Sequence, residues 1–148
     1  QHKFFRLGVR SAAVSDGHVQ VMSATMLGPG DCAVIISNSG RSKDLLDVAD
    51  LARRKGATVI AITASGSPLA LEMQGAQHVL LPADHPEDAD RYSPMVSRLL
   101  HLVIIDILTT GVALRLGSAT LRPMLAEMKK NLRQRRYVAP PGAGSADA

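Results

Sequence analysis

The stretch Ser37-Asn38-Ser39-Gly40-Arg41-Ser42 concentrates groups that could hold an anion. The hydroxyls of Ser37, Ser39 and Ser42 can donate short, charge-assisted hydrogen bonds to phosphate oxygens. Gly40 lets the backbone bend close to a ligand, and Arg41 adds positive charge if it turns inward. The apolar run CAVIIS (32–37) precedes these residues, and the amphipathic run KDLLDVADLARRKG (43–56) follows them. They therefore stand where a strand hands over to a helix, whose N-terminus offers unpaired N–H groups and a partial positive charge. The pattern is neither a Gly-Lys-Ser/Thr phosphate loop nor a GxGxxG dinucleotide fingerprint. A plainer reading stays open, in which Ser42 caps the helix and the other serines solvate a turn. Local chemistry alone does not decide between the two.

The elements that must position this loop read as alternating strands and helices. CAVIIS is a nearly continuous apolar run, the pattern of a strand buried on both faces of a parallel sheet. TVIAIT (58–63) and HVLLP (78–82) are two more strands, and VRSAAV (9–14) is a fourth candidate. HVQVMSATML (18–27) reads as a helix, stopped by the GPGD that follows. In 43–56, Leu45, Val48, Ala49 and Ala52 share one face, while Asp50 and Arg54 can pair at i,i+4 on the other. QHKFFRLG reads as a helix end closed by Gly8. Ser67-Pro68 and Ser93-Pro94 each set a capping hydroxyl before a proline suited to the first helical position. The sum is an α/β domain, a doubly wound parallel sheet flanked by helices.

Composition narrows the chemistry. The chain has 148 residues and 46% apolar side chains without a tryptophan, enough for one domain with an aliphatic core. Cys32 has no partner for an internal disulfide, which fits a reducing cytoplasm. It reads as a small buried hydrophobe at a strand start rather than a catalytic thiol. His2, His18, His78, His85 and His101 stand at no metal-ligand spacing, so no metal and no cofactor are assigned. Residues 1–121 carry eleven basic and eleven acidic side chains, and the net charge of +4 comes from the run KKNLRQRR (129–136). That run suits a solvated helix end, and nothing in the chain reads as a DNA-binding surface. The polar loop ADHPEDADRY (83–92) is a candidate pocket rim.

Residues 94–117 form the most hydrophobic stretch. Arg98, His101, Asp106 and Arg115 interrupt it, which argues for a buried core helix over a membrane span. Its apolar excess suggests that part of it meets a partner chain. Pro123 is expected near the start of a final helix, and residues 139–148 have the composition of a disordered tail after a domain spanning 1–138.

Taken together, VIISNSGRSKDLLDVADLARRKGATVIAIT, SPLA and YSPMVSRLLHLVIIDIL resemble a SIS (sugar isomerase) domain. More narrowly, they resemble the effector domain of RpiR-type bacterial transcriptional regulators, near the hexose-catabolism repressors. The resemblance covers about residues 1–122. It implies a flavodoxin-type three-layer fold in which Ser37, Asn38, Ser39 and Ser42 hold the phosphate of a phosphosugar, with Gly40 as the hinge and Thr63 on the sugar side. It also implies a homodimer or higher homo-oligomer. A first strand with its own glycine/serine loop, and a helix-turn-helix domain through which DNA is bound, would both lie upstream of residue 1.

Aldose–ketose isomerisation needs a positioned base, commonly Glu or His. No Glu occurs from Asp88 to Ala126, and position 97, where the family's isomerases would have one, is a serine. The expected function is therefore a non-catalytic sensor of a phosphorylated sugar or sugar acid, with 2-keto-3-deoxy-6-phosphogluconate the first ligand to try. The alternative is a phosphosugar isomerase whose base comes from elsewhere.

Overall fold

The structure is a computed structural model, and its described residues are 1–73, 78–86 and 95–133. In chain order the elements are α1 (His2–Phe5), α2 (Gly17–Thr25), β1 (Cys32–Ile36), α3 (Lys43–Arg54), β2 (Thr58–Thr63), α4 (Pro68–Glu72), β3 (His78–Pro82) and α5 (Val96–Arg133). The chain divides into a larger compact unit, residues 12–108, and a smaller one that combines residues 1–11 with the chain from Thr109 on.

The larger unit is an α/β domain built on a parallel sheet in the order β1-β2-β3. Its register pairs Ile36 with Ile62 and Thr63 with Pro82, so all three strands end at the same rim. Strand alternation sorts the side chains. Ala33 and Ile35 of β1, Val59 and Ala61 of β2 and Leu80 of β3 join one core with Val48, Ala49 and Ala52 of α3, Ala24 of α2 and Leu69 of α4. The small alanines let α3 lie close on the sheet. Its outer side carries ion pairs, Asp50 with both Arg53 and Arg54, and Lys43 with Asp47. Asp16 caps α2 by accepting from the His18 and Val19 N–H groups.

Three expectations for the sheet fail. β1 is not buried on both faces, since Val34 and Ile36 are 40% and 42% exposed. Residues 9–14 form no strand. A strand needs a neighbour for its backbone groups, but β1 pairs only with β2 among the described residues, and 9–14 join neither sheet edge. Cys32 is exposed rather than buried, because it opens β1 on that outer edge.

The 94–117 stretch differs more. Within α5, Leu99 is 66% exposed and Ile107 65%. It is not the buried core helix that its composition suggests, and its length and composition would also suffice to cross a membrane. In the smaller unit α5 breaks at Gly117, whose φ of +75° and ψ of 159° are not helical. The helix resumes at once after this kink, so Pro123 lies within the resumed helix and near its start, as its sequence suggests. At the other end, Val9 N–H reaches back to Phe4 O and Gly8 takes a φ of +78°, the helix closure its sequence suggests. Ser93-Pro94, most of the basic run's end and the 139–148 tail lie outside the described residues.

Candidate functional site

The site forms where β1 ends. The Ser37 N–H still belongs to the ladder, donating to Ile62 O at 3.0 Å. Its hydroxyl oxygen then accepts from the Gly40 N–H at 3.1 Å, which curls the chain into a tight turn. Gly40 takes a φ of +60°, and its buried backbone lies directly against β2 and α4. A Cβ there would meet the Ser67 hydroxyl, stand 2.6 Å from Ser67 Cβ and 2.8 Å from Thr63 Oγ1. Gly40 is thus a close-packing point as well as a turn residue. Its carbonyl accepts from the Leu69 N–H at 3.1 Å, tying the loop to α4.

Ser42 stands at the N-cap of α3 but makes no side-chain cap hydrogen bond. Its carbonyl accepts from the Leu45 and Leu46 N–H groups, and the Lys43 and Asp44 N–H groups of the first turn have no partner among the described residues. At the other candidate cap, Ser67 does accept from the Ala70 N–H at 3.1 Å, and Pro68 takes the first helical position. The plainer reading of Ser42 therefore fails in its detail: the hydroxyl sits where a cap would, without acting as one.

The sequence candidates fall into two groups. Ser37, Asn38 and Ser39 are half-buried at the rim, and Arg41 and Ser42 are exposed beside them. Thr63 is fully buried behind the loop, its hydroxyl 3.0 Å from Ser67 Oγ. There it supports the turn that holds Gly40.

Three partners were not assigned from sequence. Asn38 Oδ1 lies 2.6 Å from His85 Nε2, a contact across 47 residues. Asp84 accepts from both the N–H and the hydroxyl of Ser65, joining the ends of β2 and β3. Those bonds hold the Asp84 carboxyl below the usual carboxylate range, the hydroxyl contributing most. The sequence marks Ser67 only as a cap, and its place beneath Gly40 has no local signal. The single hint for Asp84 and His85 was their position in a polar loop after a strand. Nearby on α5, burial and then the charge of His85 push His101 below the usual histidine value. Its Nε2 is buried without a hydrogen-bond partner among the described residues.

The serine turn lies at the C-terminal rim of a parallel sheet, before the start of the next helix, which is where α/β domains of the open-sheet class bind their ligands. The family follows from comparison: the model of the SIS domain matches residues 1–111, and the chain belongs to that family. It is 44% identical over 137 residues to the HTH-type transcriptional regulator HexR of Pseudomonas aeruginosa, covering 93% of this chain and 46% of the regulator. It is also 48% identical over 117 residues to the bifunctional protein glk of Burkholderia thailandensis, covering 79% of this chain and 18% of that protein. Among solved structures, the Vibrio vulnificus NanR protein complexed with ManNAc-6P superposes with a TM-score of 0.77 at 22% identity, over 93% of this chain and 50% of that one. The chain spans less than half the length of these curated relatives.

Proposed function

We propose that this domain binds a phosphorylated sugar or sugar acid without turning it over, and that occupancy regulates an attached N-terminal helix-turn-helix domain controlling genes of sugar catabolism. The observation that carries this reading is the uncapped start of α3: directly after the turn closed by Ser37, the Ser42 hydroxyl makes no cap bond and the first-turn N–H groups of Lys43 and Asp44 have no partner among the described residues. The phosphate sits there, held by Ser37, Asn38, Ser39 and Ser42, with Arg41 at the mouth. Gly40 and the buried Thr63 fix the loop's shape. The similarity to HexR supports the regulatory role, and the ManNAc-6P complex of the fold relative NanR supports the ligand class. The absence of any Glu from Asp88 to Ala126 supports binding over isomerisation.

The protein works in the cytoplasm as a homodimer or higher homo-oligomer, and DNA contact is made only through the helix-turn-helix domain. The exposed apolar side chains of α5 meet a second copy of the chain. A lipid environment would have to accommodate Arg98, Asp106 and Arg115, at a cost of about 2.5–3.5 kcal/mol for each charge at the bilayer centre. Ligand that binds two dimer arrangements unequally shifts their balance and so reaches the DNA.

The test is a thermal-shift screen of sugar phosphates, beginning with 2-keto-3-deoxy-6-phosphogluconate, repeated on Ser37→Ala and Ser39→Ala. Ligand at 100 times its dissociation constant adds about 2.7 kcal/mol of stability to the wild type. Equal shifts in wild type and both variants rule out the loop as the site. Turnover of the bound sugar phosphate moves the protein to the isomerase class.

A further inference from the structure

Asn38 stands two residues beyond β1 and His85 three beyond β3, and β2 lies between those strands. Neighbouring strands are about 4.8 Å apart, so the 2.6 Å contact between the two side chains spans the C-terminal end of β2. It joins the loop after the third strand to the middle of the serine turn after the first.

The chemistry of the contact is directional. A neutral amide has one carbonyl oxygen that accepts and one NH2 group that donates twice. Between Ser37 and Ser39 an unanchored Asn could turn either end to a phosphate, and the carbonyl end would repel it. With Oδ1 engaged by the imidazole, the NH2 end is the one left for the anion. A ring N–H on Nε2 is what such a bond needs, and both the imidazolium and the Nε2–H tautomer supply it.

We propose that His85 is a positioning residue of this site: its Nε2–H holds Asn38 by Oδ1 and turns the Asn38 NH2 group toward the phosphate between Ser37 and Ser39. The inference rests on the phosphosugar reading of the loop and adds the wall that the third strand contributes to it. His85 acts through Asn38, so its effect is on affinity for the phosphate group itself.

The experiment is isothermal titration of the full chain with inorganic phosphate and with 2-keto-3-deoxy-6-phosphogluconate. The variants are His85→Ala, His85→Gln, Asn38→Ala, Asn38→Asp and the double alanine variant, each checked for folding by its urea midpoint. His85→Ala weakens both ligands about tenfold, and Asn38→Ala adds no further loss to it. The Gln side chain donates from nearly the same point as Nε2, so His85→Gln retains most of the affinity. Asn38→Asp keeps the bond to His85, and with it the stability, yet loses both ligands because a carboxylate faces the phosphate. Full affinity in His85→Ala, or in Asn38→Asp, overturns the positioning role while leaving the site in place. Independent, additive losses from the two alanine changes overturn it too. No binding of either ligand by the wild-type chain overturns the phosphosugar reading, and the proposal falls with it.

Discussion

Gly40 lies so close over Ser67 that the space for a Cβ is already taken by the Ser67 side chain. The serine turn is therefore shaped from below, by a helix start 27 residues further along the chain, as much as by its own sequence. That contact and the φ of +60° make separate demands on position 40. Gly40→Ala is expected to lose about 1–3 kcal/mol of stability, read as a shift in urea midpoint. Gly40→Asn separates the two causes. Asparagine tolerates positive φ better than alanine, so an equal or larger loss identifies space as the limit, and a clear recovery identifies backbone conformation.

Ser42 and Ser67 occupy equivalent places at two helix starts with different bonding, and their alanine variants should diverge. Ser67→Ala removes the cap to Ala70 and leaves the buried Thr63 hydroxyl without its partner. A loss of about 1–2 kcal/mol follows. Ser42→Ala removes no bond within the fold and should change stability by less than about 0.5 kcal/mol, while weakening sugar-phosphate binding. Paired urea denaturation and titration measure both. A Ser42→Ala loss as large as that of Ser67→Ala would mean that its hydroxyl caps α3 in solution.

His101 makes stability depend on pH near neutrality. An unfolded histidine titrates near pH 6.5, whereas burial and the charge of His85 lower the folded value. As pH falls through about 6.5, the unfolded chain takes up a proton that the folded chain resists. Stability therefore declines across the window between the unfolded and folded values and levels off below it. Urea midpoints between pH 5 and 8 should show this decline, and His101→Gln should flatten it. A slope unchanged in the variant would assign the effect to another group.

Asp84 acts in the opposite part of the scale. Its folded carboxyl titrates lower than an unfolded one because the Ser65 hydroxyl and N–H favour the charged form. Its contribution is complete above the unfolded value, about 3.9, and is lost as pH falls through the folded value. Asp84→Asn and Ser65→Ala should each reduce the acid sensitivity of the urea midpoint below pH 4. Neither should alter it at pH 7 to 8 in a pH-dependent way.

Periodicity and punctuation made the framework legible. TVIAIT and HVLLP are strands over the residues their patterns mark, and Ser67-Pro68 opens a helix as its chemistry requires. Where the reading went wrong, the missing information was a partner. VRSAAV has the composition of a strand, but composition supplies no neighbour to pair with. The apolar run of 94–117 says that α5 has something to cover, not that this chain covers it. The serine turn was visible because its groups are adjacent in sequence. Its supports were not, since Ser67 beneath Gly40 and His85 beside Asn38 meet only once three parallel strands bring their ends to one rim.

Among the described residues the outer edge of β1 has no partner strand, and this has a practical consequence. Five residues of extended backbone face outward there, with Val34 and Ile36 exposed on one face of the strand. Such an edge accepts another strand without discriminating whose it is. Handled by itself at high concentration, this stretch of chain is therefore prone to precipitate through its sheet rather than through loss of its fold, and dilution will protect it better than cooling.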